Sequence, residues 1–189
     1  MLGYFYSLSI FMKLIVWLGN PWDNYTFTRH NIGFLVLDQY VRHNVNGDFL
    51  LDKKILGLIL KTTKIIYLKP QTFMNLSWRS VKAVCTFFKI QPANILVIHD
   101  EIDLDGGVVK YKDWWGHAGH NGLRDMMKEL GTNRFKRIRV GVGRPAHPGQ
   151  TVSDHVLGKM SQQERDEVQD HYLKIESMIK DFINDNDNK

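Results

Sequence analysis

Short apolar runs closed by turn residues alternate along the chain with stretches of helical period. Lys13 to Leu18 is a continuous apolar run that predicts a buried strand, and Asn20-Pro21 ends it. Residues 30–43 place Ile32, Leu35, Val36, Tyr40 and Val41 at close to helical spacing. Gly57 to Lys61 and Lys64 to Lys69 read as a hairpin. Asn75 to Lys89 reads as a helix with Leu76, Val81, Val84, Phe87 and Phe88 turned inward. Ile95 to Ile98 predicts a buried strand running into His99-Asp100, and Val108 to Lys112 predicts another. Asn121 to Leu130 predicts a helix with Asn121 as its N-cap. Lys136 to Val142 alternates basic and apolar side chains, as a half-buried strand does. Ser161-Gln162-Gln163-Glu164 is a capping box opening a C-terminal helix, and a polar tail is expected to fray from residue 184.

This alternation predicts an α/β fold: one domain over residues 12–183, with a twisted mixed sheet flanked by helices. In open sheets of this kind ligands bind beyond the carboxyl ends of the strands. Two strands deliver polar residues there: the first reaches Asn20 and then His30, the fifth reaches His99-Asp100-Glu101. That convergence is the first pointer to a site.

Composition changes the picture only slightly. The 189 residues suffice for one core, and 25 Lys and Arg against 20 Asp and Glu leave a net charge of +5, which suits an anionic partner without naming one. Cys85 is the sole cysteine, so no intrachain disulfide can form; within an amphipathic run it reads as a small core residue. The apolar start MLGYFYSLSIF lacks a basic opening and a small-residue cleavage site, and Lys13 interrupts it before it is long enough to span a bilayer. Residues 1–11 are therefore expected to be a dispensable or non-native extension, with Met1 and Met12 both open as the start, and a cytoplasmic protein with no membrane association is expected.

Three chemistries fit poorly. His99, Asp100, His117 and His120 match no zinc spacing, so no metal is expected. Gly141-Val142-Gly143 is followed by Pro145, and no helix opens there to hold a pyrophosphate. No Gly-x-Ser-x-Gly elbow is present, so water activated by a base is the better enzymatic reading. Each polar residue also has a plain structural reading: Asn20 shaping a turn, Asn75 and Asn121 capping helices, His30 and Asp100 hydrogen-bonded for stability.

The motifs, taken in order, resemble the bacterial-type peptidyl-tRNA hydrolase family. They are Leu-Gly-Asn-Pro at 18–21 with Tyr25, Thr-Arg-His-Asn at 28–31 and Lys-Pro-Gln-Thr-Phe-Met-Asn-Leu-Ser at 69–77. Then come His-Asp-Glu-Ile-Asp-Leu at 99–104, Gly-His-Ala-Gly-His-Asn-Gly-Leu at 116–123, Arg-Ile-Arg-Val-Gly-Val-Gly-Arg-Pro at 137–145 and Val-Leu-Gly-Lys at 156–159. The resemblance spans about residues 12–180 and implies hydrolysis of the ester joining a peptide to the terminal ribose of tRNA, with no cofactor. It implies His30 as general base, Asp100 orienting it, and Asn20, Asn75 and Asn121 as amides placing substrate and water. Tyr25, Phe73, Met74 and His120 are implied to bind the substrate end. Lys112 and Arg139 are implied to clamp the 5′-phosphate of the acceptor stem. The partner implied is peptidyl-tRNA, through its acceptor stem and CCA end, with no obligate protein partner and a monomeric enzyme. An inactive RNA-binding relative, or a hydrolase of another ester, are the alternatives; the retained His30 and Asp100 argue against the first, and the Lys112 and Arg139 pair against the second.

Trp17, Trp22, Trp78, Trp114 and Trp115, all five tryptophans of the chain, stand where the family has glycine. Some bacterial lineages read UGA as glycine where a common alternative table reads tryptophan. The hypothesis is that these five residues are glycine in the natural protein; UGG at the five codons would end it. Tryptophan at such positions is expected to strain the backbone and to block part of the cleft. Ala118, another position where the family usually has glycine, is expected to be tolerated.

Overall fold

The computed structural model describes residues 12–114 and 116–185. The predicted alternation is found in it. Strands β1 (Lys13–Trp17), β4 (Ile65–Pro70), β5 (Ile95–Glu101) and β7 (Lys136–Gly141) are parallel, and antiparallel strands extend both edges. β2 (Leu50–Asp52) and β3 (Gly57–Lys61) lie beyond β4, and β6 (Val109–Lys112) lies beyond β7, giving the order β2-β3-β4-β1-β5-β7-β6. The parallel strands are covered on both faces, which is why they are almost purely apolar; every residue of β5 is buried.

Helix α1 (Ile32–Asn44) packs on one face through Phe34, Val36, Leu37 and Tyr40, joined there by α6 (Tyr172–Asn184) through Ile175, Ile179 and Phe182. Helices α2 (Ser77–Phe88) and α3 (Asn121–Leu130) cover the other face through Val81, Val84, Leu123 and Met126. The chain thus leaves β1 over one face and β4 over the other. The crevice at the carboxyl ends of these central strands is the place where ligands bind in such sheets.

Several local expectations are corrected. Phe87 is 76% exposed rather than inward: it lies on the outer side of the last turn of α2, past the stripe of Val81 and Val84. The N-cap of α3 is His120, whose Nδ1 accepts from the Leu123 N–H, so Asn121 is the first helical residue and its amide is not used as a cap. The capping box at Ser161 is present, but the helix it opens is α5 (Gln162–Asp170), which breaks at His171 before α6. Helix α4 (Val152–Leu157) and strand β2 have no counterpart among the predicted elements, both being too short for a periodic signal. Helix α6 runs to Asn184, the first residue of the tail expected to fray. Asp185 accepts a salt bridge from Lys136 at 2.5 Å, and its carbonyl takes a hydrogen bond from Lys13. Residues 1–11 and 186–189 lie outside the described residues.

The tryptophans do not behave as expected. Trp17 is fully buried between Tyr40 and Tyr67, with ring centroids 6.4 and 6.0 Å away. Trp22 is 44% exposed and stacks on Phe73 at 4.4 Å; Trp78 is half-buried against the α2–α3 core, and Trp114 is 64% exposed. None of these four has a left-handed φ, so the backbone strain is absent; Trp115 lies outside the described residues. What remains is a buried indole N–H on Trp17 with no hydrogen-bond partner among the described residues. Ala118, by contrast, does sit at φ +47°, the left-handed region that glycine enters without cost.

Candidate active site

At the carboxyl end of β5 successive side chains point to opposite faces of the sheet. Asp100 therefore turns toward the α1 side, where a short 3-10 turn, Arg29–Asn31, delivers His30 just ahead of α1. His30 Nδ1 lies 2.8 Å from Asp100 Oδ1. From the other face the N-cap of α3 brings His120, whose Nε2 lies 3.0 Å from the same oxygen. Asp100 is buried, so a single carboxylate oxygen holds two imidazoles, whose rings stand 4.9 Å apart.

The hydrogen bonds assign the tautomers. A carboxylate only accepts, so His30 donates through Nδ1–H and keeps Nε2 as the basic nitrogen. His120 accepts the Leu123 N–H on Nδ1 at 3.3 Å, so its proton sits on Nε2 and is donated to Asp100. Burial by itself would raise the Asp100 pKa. The two imidazoles outweigh it through charge and hydrogen bonding, and hold the group well below the ordinary carboxylate range.

Asn20 is also buried, and it locks the neighbouring turn. Its backbone N–H donates to Asn31 Oδ1 and its carbonyl accepts from Asn31 Nδ2, each at 2.8 Å. Asn20 Oδ1 accepts from the Met74 N–H at 2.9 Å, tying the end of β1 to the 3-10 turn Met74–Leu76 that carries Asn75.

These groups open into one cleft of about 450 Å³. Among the residues anticipated from sequence, Asn20, Tyr25, His30, Phe73, Met74, Asn75, Asp100, His120 and Asn121 all line it. Asn75 and Asn121 are exposed and line the cleft from two different elements, the 3-10 turn Met74–Leu76 and the start of α3. The described tryptophans do not line the cleft, so the blockage expected of them is not found: Trp22 leans on the outer side of Phe73, and Trp114 lies in the loop after β6. Sequence reasoning leaves one wall unassigned, although Glu101 is placed at the end of the fifth strand and Val156-Leu157 falls in a family motif. Val152, Ser153, Val156 and Leu157 of α4 line the cleft, as do Glu101, Ile102 and Arg124.

Lys112 and Arg139 are not in the cleft lining. They lie on adjacent antiparallel strands, where Lys112 is opposite Arg137 and Lys110 is opposite Arg139. All four share one face of the sheet, the face of α2 and α3. Arg139 Nε donates to Glu101 Oε2 at 2.9 Å, which connects this basic ladder to the cleft rim. Arg137 is buried, donates to the Gly116 carbonyl at 3.0 Å and so supports the loop leading to His120. Its pKa falls to about 10, through burial and then the like charge of Arg139.

His99, grouped with Asp100 from sequence, is not in the cleft lining; its ring packs edge-on against His120, with centroids 5.1 Å apart. Its Nδ1–H donates to the Asp100 carbonyl at 2.6 Å, and its buried Nε2 has no partner. Burial pushes its pKa well below the usual imidazole value, with the charge of His120 acting in the same direction. Of the four residues tried against a zinc spacing, His99 and His117 are thus engaged elsewhere; His117 Nδ1 accepts from the Gly119 N–H. His30, Asp100 and His120 do bring three potential ligand atoms within 4.8 Å of one another. A metal on His120 Nε2 would, however, put the ring proton on Nδ1, facing the Leu123 N–H donor. A metal ligand of this type donates from its second nitrogen rather than accepting there; in the present arrangement the trio is two N–H donors on one carboxylate oxygen.

Comparisons with known proteins identify the family. Residues 14–189 match the family model described as peptidyl-tRNA hydrolase. The chain is 41% identical over 182 residues to the peptidyl-tRNA hydrolase of Dichelobacter nodosus, covering 94% of this chain and 95% of that one. It is 45% identical over 177 residues to that of a Geobacter species, covering 89% and 92%. The crystal structure of peptidyl-tRNA hydrolase from Acinetobacter baumannii superposes with a TM-score of 0.83 at 36% identity, over 91% of this chain and 88% of that one. The family model over residues 14–189, together with relatives 41–45% identical along almost the whole chain, places this protein in the peptidyl-tRNA hydrolase family.

Proposed function

We propose that this protein hydrolyses the ester bond between the peptide and the 3′-terminal ribose of peptidyl-tRNA, with His30 as general base. The observation that carries the reading is the 2.8 Å contact of His30 Nδ1 with buried Asp100 inside the amide-lined cleft. Asp100 holds the ring in the tautomer that leaves Nε2 able to take a proton, and it stabilises the imidazolium that forms. Water deprotonated by Nε2 attacks the ester carbonyl. An ester is a better acyl donor than an amide, so one base and a water suffice, and such a base contributes about 10²–10⁴-fold.

The asparagines suit a substrate whose side chains vary. Asn75 and Asn121 offer amides that bond peptide main chain and the developing oxyanion without reading sequence. Asn20 has already committed Oδ1 to Met74, so Nδ2 is what it offers to substrate. Tyr25, Phe73, Met74 and His120 supply the remaining contacts to the CCA end. Lys112 and Arg139 hold the acceptor stem by its 5′-phosphate, a charge-assisted contact that ignores base identity. The enzyme acts as a monomer in the cytoplasm on this reading, and residues 1–11 are dispensable. Among the described residues no helix is long and apolar enough to cross a membrane.

The experiment is release of tRNA from an N-acetylated aminoacyl-tRNA by the wild-type chain and by His30→Ala. Hydrolysis that persists in the variant would defeat the assignment of the base; binding of tRNA without hydrolysis by the wild type would make the protein a non-catalytic RNA-binding relative.

A further inference from the structure

The turn that presents His30 is held by a segment more than a hundred residues away in sequence. Arg29 Nε donates to Glu164 Oε1 at 2.7 Å and Nη2 to Glu164 Oε2 at 3.1 Å, a bidentate pair that fixes the plane of both groups. Arg29 Nη1 donates to the His155 carbonyl at 3.1 Å, and the Arg29 backbone N–H to the Gly158 carbonyl at 3.1 Å. The Phe27 carbonyl accepts from the Met160 N–H at 2.8 Å, and Thr28 bridges to Lys159. A Cβ on Gly158 would meet Arg29 Nη1 at 2.9 Å, so the absence of a side chain there makes room for the guanidinium.

Phe27 lies at φ +64°, a conformation that strains a bulky residue and persists only where its surroundings impose it. Those surroundings are residues 158–165: in addition to these hydrogen bonds, the Arg165 guanidinium lies 5.1 Å from the Phe27 ring centroid. Glu164 is itself fixed from its own side. Its Oε2 accepts the Ser161 N–H at 2.7 Å and its N–H donates to Ser161 Oγ at 3.2 Å, completing the capping box of α5. One carboxylate thereby joins the start of α5 to the residue adjacent to His30, and none of its bonds enters the cleft. Its pKa is lowered: burial opposes this, while the bonds to Ser161 and Arg29 prevail, so it is ionised at neutral pH.

We infer that Glu164 is a positioning residue for hydrolysis, acting through Arg29 to hold the His30 imidazole at the angle set by Asp100. The inference rests on His30 being the base. A base displaced by about 1 Å loses on the order of a hundredfold in rate, whereas substrate contacts made by the asparagines and the basic ladder stay in place. The effect therefore belongs in kcat and not in KM.

The test measures kcat and KM on N-acetylated aminoacyl-tRNA, well below the melting temperature, for Glu164→Gln, Arg29→Lys, the double variant, Ser161→Ala and His30→Ala. Glu164→Gln is expected to lower kcat between about tenfold and a hundredfold, with KM within about twofold. The double variant should fall no further than the worse single one, since both remove one interaction. Ser161→Ala weakens the helix cap and leaves the ion pair intact, so it should lower the melting temperature while keeping kcat near the wild-type value. If Ser161→Ala reduced kcat as much as Glu164→Gln, the effect would be helix stability and the inference would fall. An inactive His30→Ala beside a Glu164→Gln with wild-type kcat would overturn this inference alone; an active His30→Ala would overturn the base and the inference together.

Discussion

The cleft and the β6–β7 surface both gather ionisable side chains, and they do so in opposite ways. In the cleft one buried carboxylate takes two imidazoles on a single oxygen, and the Leu123 N–H fixes the second nitrogen of His120. On β6 and β7 the side chains of Lys110, Lys112, Arg137 and Arg139 share one sheet face, with only Arg137 buried. On the function proposed above, the difference follows from what each task would need. Proton transfer would need a fixed angle and little competing water, as in groups that are desolvated and mutually bonded. A phosphate would instead meet cations at the sheet edge, where Arg139 is half-buried and already paired with a carboxylate that the phosphate would replace. Acidic Glu101 lies between the two regions, lining the cleft and holding Arg139.

This contrast is tested most severely at the cleft. His30→Ala and Asp100→Asn should each lower kcat by about 10²–10⁴-fold with little change in KM, measured by single-turnover release of tRNA. Effects of similar size on KM would mean that these residues bind substrate rather than transform it.

Next comes the basic ladder. Lys112→Gln with Arg139→Gln should raise KM about tenfold and leave kcat near the wild-type value. The slope of log affinity against log salt should become shallower by roughly one for each phosphate that is no longer neutralised. Unchanged salt dependence would move the acceptor stem elsewhere.

A pH experiment separates buried from exposed charge. His99 has its folded pKa depressed by burial, so the unfolded chain binds a proton first as pH falls. Stability is then full above the unfolded imidazole value of about 6.5 and declines below it. Asp100, also depressed in the fold, adds a further decline as pH falls below the unfolded carboxylate value of about 3.9. Denaturant titrations at pH 7.5 and pH 5 should show the first decline, and His99→Gln should flatten it. The smallest effect is expected at Cys85. Burial raises its thiol to about 12, so it should resist alkylation at pH 8, and Cys85→Ala should leave hydrolysis unchanged within about twofold.

Much of the fold is legible in the sequence because its signals are local. Leu14 to Trp17 and Ile95 to Ile98 are continuous apolar runs, and a strand covered on both faces has that composition wherever it lies in the chain. Ser161 and Glu164 announce a helix start through bonds only three residues apart. Short α4 and two-turn α5 carry too few residues for a period to show, which hides the wall made by Val152, Val156 and Leu157. His99 and Asp100 look equivalent in sequence, although strand alternation leaves one of them out of the cleft lining.

The order of residues along the chain is enough to say which side chains stand at strand ends and helix starts, and its motifs are enough to name the family to which they belong. Packing had to supply the rest: Asp100 serving His30 and His120 with one oxygen, His120 rather than Asn121 capping α3, and Glu164 reaching Arg29 from 135 positions along the chain. The two kinds of information differ in range. Helical period, strand alternation and capping act over a few bonds of backbone, whereas a shared proton or a bidentate ion pair exists only where assembly of the whole sheet has brought distant atoms within about 3 Å.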